Sequence, residues 1–400
     1  MRRFTEAMKR MGQLVMLLGA SCLSLGLKAD DAVTKTTAVA PNIPNKTRLA
    51  HVSLGDVTAI AARKGWLQEE FAKYNAKVDL VNTTSYGQNG TTAALFDRGD
   101  LHISLSMMNG ALQNRSQGLD VVFIWQSTNV VPRRAVTMVL SDSPVQSVSD
   151  LKGKTIGSSL TSCPYYAAVE SLRSHGVEVD NEWRKGDVHY LNLSSTAAST
   201  SAFLAGRFEA GGWHPSSMAP LYVQNQVREI AVAVPDGIYT TTAGRSAITV
   251  TRQWANENPD LVKAFLVAWD RTVRWLYADH GAHLDEAATI AARELRVSKA
   301  VELFKLKDES QTAYNWGVTD RNDAIAAIKK FWKYQVAYKD PFFTKHQLTD
   351  KEIDALVDRR FYAGGEYFVD VGQKRLPSAT LEKPAGLTTS SRLAQNNGAR

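Results

Sequence analysis

Two hydrophobic periods alternate along the 400-residue chain. Short apolar runs at Arg48 to Ser53, Lys77 to Val81, Asp100 to Leu105, Val121 to Trp125 and Ala135 to Leu140 predict strands. Between them, apolar residues three and four apart predict helices. One covers Val57 to Tyr74, with Ile60, Trp66, Leu67 and Phe71 as its stripe; others cover Thr91 to Arg98 and a stretch ending near Ser116. Alternation at this spacing predicts a parallel α/β sheet, not a sandwich. The pattern continues with strands at Lys154 to Gly157, Val188 to Leu191 and Glu229 to Val234, and helices at Tyr165 to His175 and Thr196 to Leu204. Ala247 to Thr251 reads as a strand returning to the first unit. Past Asn258 the chain is helical: Leu261 to Tyr277 is strongly amphipathic, and Glu286 to Leu295 and Ala324 to Tyr334 continue the pattern. No internal repeat is visible.

One stretch, Asp150 to Tyr166, concentrates turn and cap chemistry. Asp150, Lys152 and Gly153 make a turn, a brief strand follows, and Ser158, Ser159, Thr161 and Ser162 crowd the bend after it. Pro164 suits the first turn of a helix, where its missing N–H costs nothing. A helix beginning there aims free N–H groups and partial positive charge outward, which makes an anion site from backbone. An ordinary capped turn is the bland reading of the same residues.

Charge alters the picture only at the ends. The formal net charge is +7, yet residues 1–29 and 373–400 each carry five basic residues and one acidic. Removing those ten basic and two acidic residues from totals of 47 and 40 leaves 37 and 38, so the middle of the chain is close to neutral and offers no basic surface for nucleic acid. Arg2, Arg3, Lys9 and Arg10 precede a Leu-rich run from Leu14 to Leu27, which reads as an export signal over residues 1–29. Gly19, Ser21 and Ser24 interrupt that run, so it is a poor membrane span; Cys22 as a lipid-anchor cysteine is the less favoured alternative. A flexible lead-in over 30–46 and a disordered tail over 373–400 are expected. With Cys22 removed, Cys163 stands alone, which excludes a disulfide framework and a thiolate metal site.

In open parallel sheets, ligands bind beyond the carboxyl ends of the strands. Here those positions are Gly55 and Asp56, Ser85 to Gln88 including Tyr86, Ser106 to Asn109, Thr161 and Ser162, Trp213 and His214, and Thr240 to Thr242 with Thr241. They offer hydroxyls, amides and aromatic rings, which bind well and transfer protons poorly at neutral pH. No catalytic, metal or cofactor motif emerges. Val148 occupies the first glycine position of a P-loop, and the Gly244 to Ile248 stretch lacks the second glycine of a nucleophile elbow. His280-x-x-His283 is weak metal spacing. Cys163 reads better as a small buried hydrophobe than as a nucleophile served by a distant histidine. Arg134 and Arg245 flank the two segments that leave and rejoin the first unit; each is a candidate anion clamp or a structural ion pair.

Several pieces in order, GWLQEEF at 65–71, LFDRGDLHISLS at 95–106, SVSDLKGKTIGSS at 147–159, FLAGRFEAGGWHPSS at 203–217 and NPDLVKAFLVAWDRTVRWL at 258–276, give the chain a family likeness. It resembles the periplasmic substrate-binding proteins of ABC importers for nitrate, taurine and aliphatic sulfonates, with relatives that bind thiamine precursors. The resemblance implies a two-lobe α/β binding-protein fold of type II with two hinge crossings and a helical C-terminal part. Lobe 1 would comprise 47–134 and 247–372, and lobe 2 135–246. It also implies a monomer in the periplasm that passes a small anion to a membrane permease with its ATPase. Gly55, Ser85, Asn109, Thr161, Ser162 and Trp213 fall at cleft-lining motif positions. Gly211 and Gly212 before Trp213 suggest a more open wall than the family usually has. Tyr86, Tyr165, Tyr166 and Tyr239 add aromatic surface and favour an organic sulfonate or carboxylate over bare nitrate. An enzyme on the same scaffold, related to thiamine-precursor metabolism, is the competing expectation; His214 is the loop histidine that places in its cleft.

Overall fold

The chain first lays down β1 (Arg48–Ser53), α1 (Asp56–Arg63), α2 (Trp66–Ala72) and β2 (Ala76–Val81), with β1 and β2 in parallel register. The single helix expected across this stretch is two. Gly65 adopts φ +79°, a left-handed conformation that ends α1 and that side chains on an L residue resist. α3 (Gly90–Asp97), β3 (Ile103–Met107), α4 (Met108–Ser116) and β4 (Val121–Gln126) follow. In this computed structural model the described residues are 46–371, apart from 84–89, 181–185, 309–318, 339 and 346. The expected export signal, almost all of the lead-in, and the tail therefore lie outside the described residues.

The chain then leaves the first sheet along β5 (Val136–Leu140) and builds β6 (Thr155–Ser158), α5 (Cys163–Ser174), β7 (Val179–Asp180) and β8 (Val188–Asn192). α6 (Thr196–Leu204), β9 (Gly211–Trp213), α7 (Ala219–Val223) and β10 (Val227–Val232) complete this half. Its strands form two small sheets, β10-β5-β9 and β6-β8-β7, linked by a bridge between Ile156 and Ala210. β11 (Ser246–Thr251) returns between β3 and β4, giving the order β2-β1-β3-β11-β4.

The parallel sheet expected from sequence is corrected to a mixed one. β11 runs antiparallel to both neighbours, and β5 is antiparallel to β9 and β10. The cause is the path of the chain. β11 begins opposite Met107, at the carboxyl end of β3, so a segment returning from the second half must run back the way β3 came.

The helices after β11 are α8 (Arg252–Glu257), α9 (Pro259–Tyr277), α10 (Leu284–Leu295), α11 (Lys299–Lys307) and α12 (Arg321–Ala337). α9 buries Leu261, Phe265, Trp269, Val273 and Leu276, one apolar stripe at helical spacing, against the core of the first sheet. α11 and α12 behave differently. Val301 and Phe304 of α11 join the second half's aromatic cluster, with Phe304 stacked on Tyr222 at 5.3 Å. Phe331 and Trp332 of α12 share one core with Leu112 of α4 and with Tyr166 and Ala167 of α5. Helices read from sequence as part of the first lobe thus pack on elements of both halves. None of the described helices is long and apolar enough to cross a membrane.

α11 also carries a buried charge cluster. Lys305 Nζ lies 2.7 Å from Glu302 and 3.0 Å from Asp56 at the start of α1. Burial and the Asp56 carboxylate push the Glu302 carboxyl up to about 7, against the opposing pull of Lys305. The folded chain therefore holds this proton to higher pH than the unfolded chain does. The resulting stability is fully present below the ordinary value of 4.5 and is lost as pH rises through about 7. Glu302→Gln should flatten the pH dependence of the thermal midpoint across that window. A melting profile unchanged by the substitution would show that Glu302 does not titrate there.

Candidate functional site

The turn-rich stretch singled out in the sequence forms the floor of a cavity. β6 ends at Ser158, and the loop that follows is tied by its own hydroxyls: Ser162 Oγ donates to Ser159 O at 2.7 Å, and Ser159 Oγ and Thr161 Oγ1 lie 2.9 Å apart. Ser162 is the extended N-cap of α5, and Pro164 sits in the first turn as expected. From the other half, α4 starts directly after β3, so Ser106 to Asn109, expected beyond a strand's carboxyl end, are instead a strand passing straight into a helix. Asn109 Nδ2 and Gln113 Nε2, one turn apart on α4, both donate to the Thr161 carbonyl, at 3.1 and 3.2 Å. Those two bonds join the halves.

The cavity they close has a volume of about 210 Å³. Three helix starts converge on it: Asn109 and Gly110 of α4, Ser162 to Pro164 of α5, and Thr196 and Ser199 of α6. Each contributes partial positive charge from N–H groups of its first turn. Among the described residues lining the cavity there is no carboxylate, lysine or arginine. Ser106 Oγ is buried at the wall without a hydrogen-bond partner among the described residues. A buried hydroxyl left that way costs stability unless something else satisfies it.

Arg134 stands one layer behind. It is 3% exposed, and its Nη2 donates to Ser246 Oγ at 3.1 Å and contacts Met107 Sδ, part of the cavity wall, at 3.2 Å. Arg245, the other arginine of the crossings, is a structural ion pair with Asp323 of α12 at 2.7 Å.

Trp213 and His214 form the remaining wall. β9 pairs with β5 so that Trp213 lies opposite Val136, and Trp213 Nε1 donates to Ser199 Oγ at 3.2 Å. Its ring packs 4.9 Å from Phe203, inside the core of the second half. The glycines before it tighten this wall, contrary to the open wall expected. A Cβ on Gly211 would lie 2.2 Å from Gly157 O, and one on Gly212 would lie 2.8 Å from both Pro164 O and the Ala168 side chain. Only glycines let β9 come this close to β6 and α5.

His214 Nε2 lies 3.1 Å from Cys163 Sγ, and its Nδ1 lies 2.8 Å from the Arg134 carbonyl. A carbonyl only accepts, so Nδ1 carries the proton, Nε2 is the acceptor, and the thiol donates. Burial pushes the Cys163 thiol up to about 12, with Arg134 pulling the other way. Burial, reinforced by Arg134, takes His214 down to about 3. The pair therefore rests as neutral thiol and neutral imidazole. The cysteine expected as an inert buried residue is buried, but it has a histidine partner.

Of the residues singled out from sequence, Asn109, Thr161, Ser162, Trp213 and His214 come together around this cavity. Gly55 caps α1, and Asp56 is held by Lys305; neither lines it. Thr241 Oγ1 donates to Gly237 O and accepts from Lys330 Nζ, outside the cavity. Tyr165 faces a second cavity on the far side of Thr161. Ser85 and Tyr86 lie outside the described residues. Sequence reasoning missed Thr196 and Ser199. Their signal was present, since they follow the carboxyl end of β8 and Ser195 caps α6 by accepting from Ala198 N.

A family model described as NMT1/THI5 like matches residues 57–281. Comparison with curated protein sequences finds no match. Among solved structures, the alkanesulfonate-binding protein SsuA from Xanthomonas axonopodis pv. citri bound to MOPS aligns with a TM-score of 0.58 at 18% identity, over 73% of this chain and 93% of that one. A DSZB variant in complex with biphenyl-2-sulfinic acid aligns at 0.55 and 15%, over 80% and 97%. The periplasmic nitrate-binding protein NrtA from Synechocystis PCC 6803 aligns at 0.55 and 12%, over 78% and 86%. At these identities the likeness speaks for the fold, that of the periplasmic binding proteins, with its helical C-terminal part.

Two outcomes follow from the wall chemistry. Gly211→Ala should lower unfolding free energy by about 2 kcal/mol in denaturant titration, because the new methyl meets backbone. Cys163 in the folded protein should react with iodoacetamide far more slowly than a free thiol at mildly alkaline pH, and at the free-thiol rate once unfolded. Equal rates in the two states would contradict the neutral, buried pair.

Proposed function

The chain belongs to the NMT1/THI5-like family, and from that premise we propose that it is the solute-binding component of an ABC importer. It captures a small organic anion, with a sulfonate or carboxylate head, in the cavity between its halves. One observation carries the reading: three helix starts face a cavity with no charged side chain among its described lining residues, and the Ser106 hydroxyl lies buried in its wall without a partner among the described residues. An oxyanion is drawn to the partial positive charge of the helix starts, and the guanidinium of Arg134 behind the wall offsets its charge. Solved structures of the same fold bound to MOPS or described as nitrate-binding support an oxyanion as ligand. Trp213 gives the cavity an indole wall, and its volume of about 210 Å³ suits a compact, short-chain body.

Capture proceeds by closure. An open form admits the anion, and the bonds from Asn109 and Gln113 to Thr161 form as the halves meet. The export segment read over residues 1–29 and delivery to a membrane permease belong to the same proposal. The competing reading, an enzyme, draws on the Cys163–His214 contact. It is the weaker one, because a thiol pushed up to about 12 beside an imidazole held near 3 is far from a thiolate–imidazolium pair.

Calorimetric titration with ethanesulfonate, taurine, propionate and nitrate tests the proposal. A sulfonate or carboxylate should bind with one equivalent and be recovered unchanged. Ser106→Ala should weaken it by about 1 kcal/mol, and Arg134→Met by about 2 kcal/mol. Affinity for a sulfonate should stay flat from about pH 5 to about pH 8, since neither His214 nor Cys163 titrates there. Absence of binding by every acid, or conversion of the bound compound, would overturn the assignment.

A further inference from the structure

A second cavity is larger than the one between the helix starts. A space of about 490 Å³ lies between α5 and α12, more than twice the 210 Å³ of the first. It is within the usual range for small-molecule sites. Thr161 borders both spaces. The Thr161 carbonyl is held by Asn109 and Gln113, so a bonded segment of chain stands where the two cavities meet.

Their linings differ in kind. The first offers hydroxyls and helix starts; the second offers rings. Tyr165 and Tyr166 of α5 and Tyr334 and Tyr338 at the end of α12 line it. Tyr165 and Tyr166 meet edge to face with centroids 5.4 Å apart, Tyr166 and Tyr334 edge to face at 6.2 Å, and Tyr334 and Tyr338 tilted at 4.4 Å. Rings set at these angles present both faces and edges to a guest, which is how one aromatic ring is best received by others. Tyr338 keeps 57% of its surface exposed, a large ring left partly uncovered at the rim.

Two charged groups set the polarity of the guest. Arg173 lines the cavity with its guanidinium 5.4 Å from the Tyr338 ring. Its contacts with the Tyr338 hydroxyl at 3.4 Å and with Glu178 at 3.9 Å are both long, so neither fixes it as a tight ion pair would. Asp340 also lines the cavity, beside Gln335. A guanidinium attracts one acidic head, and the carboxylate of Asp340 repels a second.

We propose that the cavity between α5 and α12 is a second small-molecule site, which takes an arene bearing one acidic head, the ring between the tyrosines and the head at Arg173. The site is distinct from the cavity between the helix starts, although its walls too come from both halves, Gln113 on one side and Tyr165 on the other. It also accounts for two of the tyrosines that pointed to a ringed ligand, Tyr165 and Tyr166, which line it, while Tyr239 lies beside His214 of the first cavity.

The test uses the full chain saturated with ethanesulfonate and then titrated with benzenesulfonate. Benzenesulfonate should still bind, with one equivalent beyond the ethanesulfonate. Arg173→Gln and Tyr338→Ala, both at partly exposed positions, should each weaken that binding by about tenfold or more while ethanesulfonate affinity and the thermal midpoint stay unchanged. Failure of benzenesulfonate to bind the saturated protein would overturn the second site, as would binding that neither substitution alters. If ethanesulfonate does not bind but benzenesulfonate does, in a way that Arg173→Gln weakens, the second site stands and the importer assignment for the first cavity falls.

Discussion

One backbone carbonyl holds the two halves in register. Asn109 and Gln113 rise from consecutive turns of α4 in the first half, and both donate to Thr161 O in the loop before α5 of the second. Amide side chains suit this role because they donate hydrogen bonds without carrying a charge. The grip brings the starts of α4 and α5 to face each other, and α6 meets them because β8 lies beside β6 in the same sheet. The electrostatics of the cavity is thus made of partial charges from backbone. A full charge nearby, Arg134, stays buried behind Met107. Such a site keeps its character over a wide pH range, because none of its donors titrates near neutrality.

Close approach on the opposite wall completes it. Gly211 and Gly212 let β9 come near enough to β6 and α5 for Trp213 to fill the second half's core and for His214 to reach both the Arg134 carbonyl and Cys163. Burial then decides the protonation of the histidine and the thiol, pushing both toward neutrality from opposite directions. A Cys–His contact by itself would look like catalytic machinery. The desolvated setting makes it part of the wall.

The C-terminal helices bear on how the halves can move. α11 inserts Phe304 into the aromatic cluster of the second half, while α12 packs against α4 and α5 together. Arg133, next to the first crossing, reaches both Glu229 of the second half and Asp308 after α11, and Arg245, next to the other, reaches Asp323 of α12. Separation of the halves must then slide or carry these helices. The closure proposed for capture would then involve three packed bodies rather than two lobes on bare hinges. The second cavity lies at one of these contacts, between α5 and α12.

Local chemistry was legible along the chain. The strand periods, the cap and proline at the start of α5, the turn at Gly153, and the hydroxyl-rich strand ends at Asn109, Thr161, Ser162, Trp213 and His214 all follow from residues close to one another in sequence. What was not legible depended on distant partners. Asp56 read as a strand-end binding position until Lys305 stood beside it, and Gly211 and Gly212 looked like space until Gly157, Pro164 and Ala168 filled it. The tyrosines looked like one aromatic wall until Thr161 divided two cavities. The direction of β11 is a further case, since its residues suit either a parallel or an antiparallel neighbour and only the returning path of the chain decides. Periodicity and capping are set by neighbours within about a turn or a strand, so the sequence by itself determined the elements and the kind of chemistry at their ends. Pairing, burial and protonation depend on groups brought together across hundreds of residues, and those only the tertiary structure could decide.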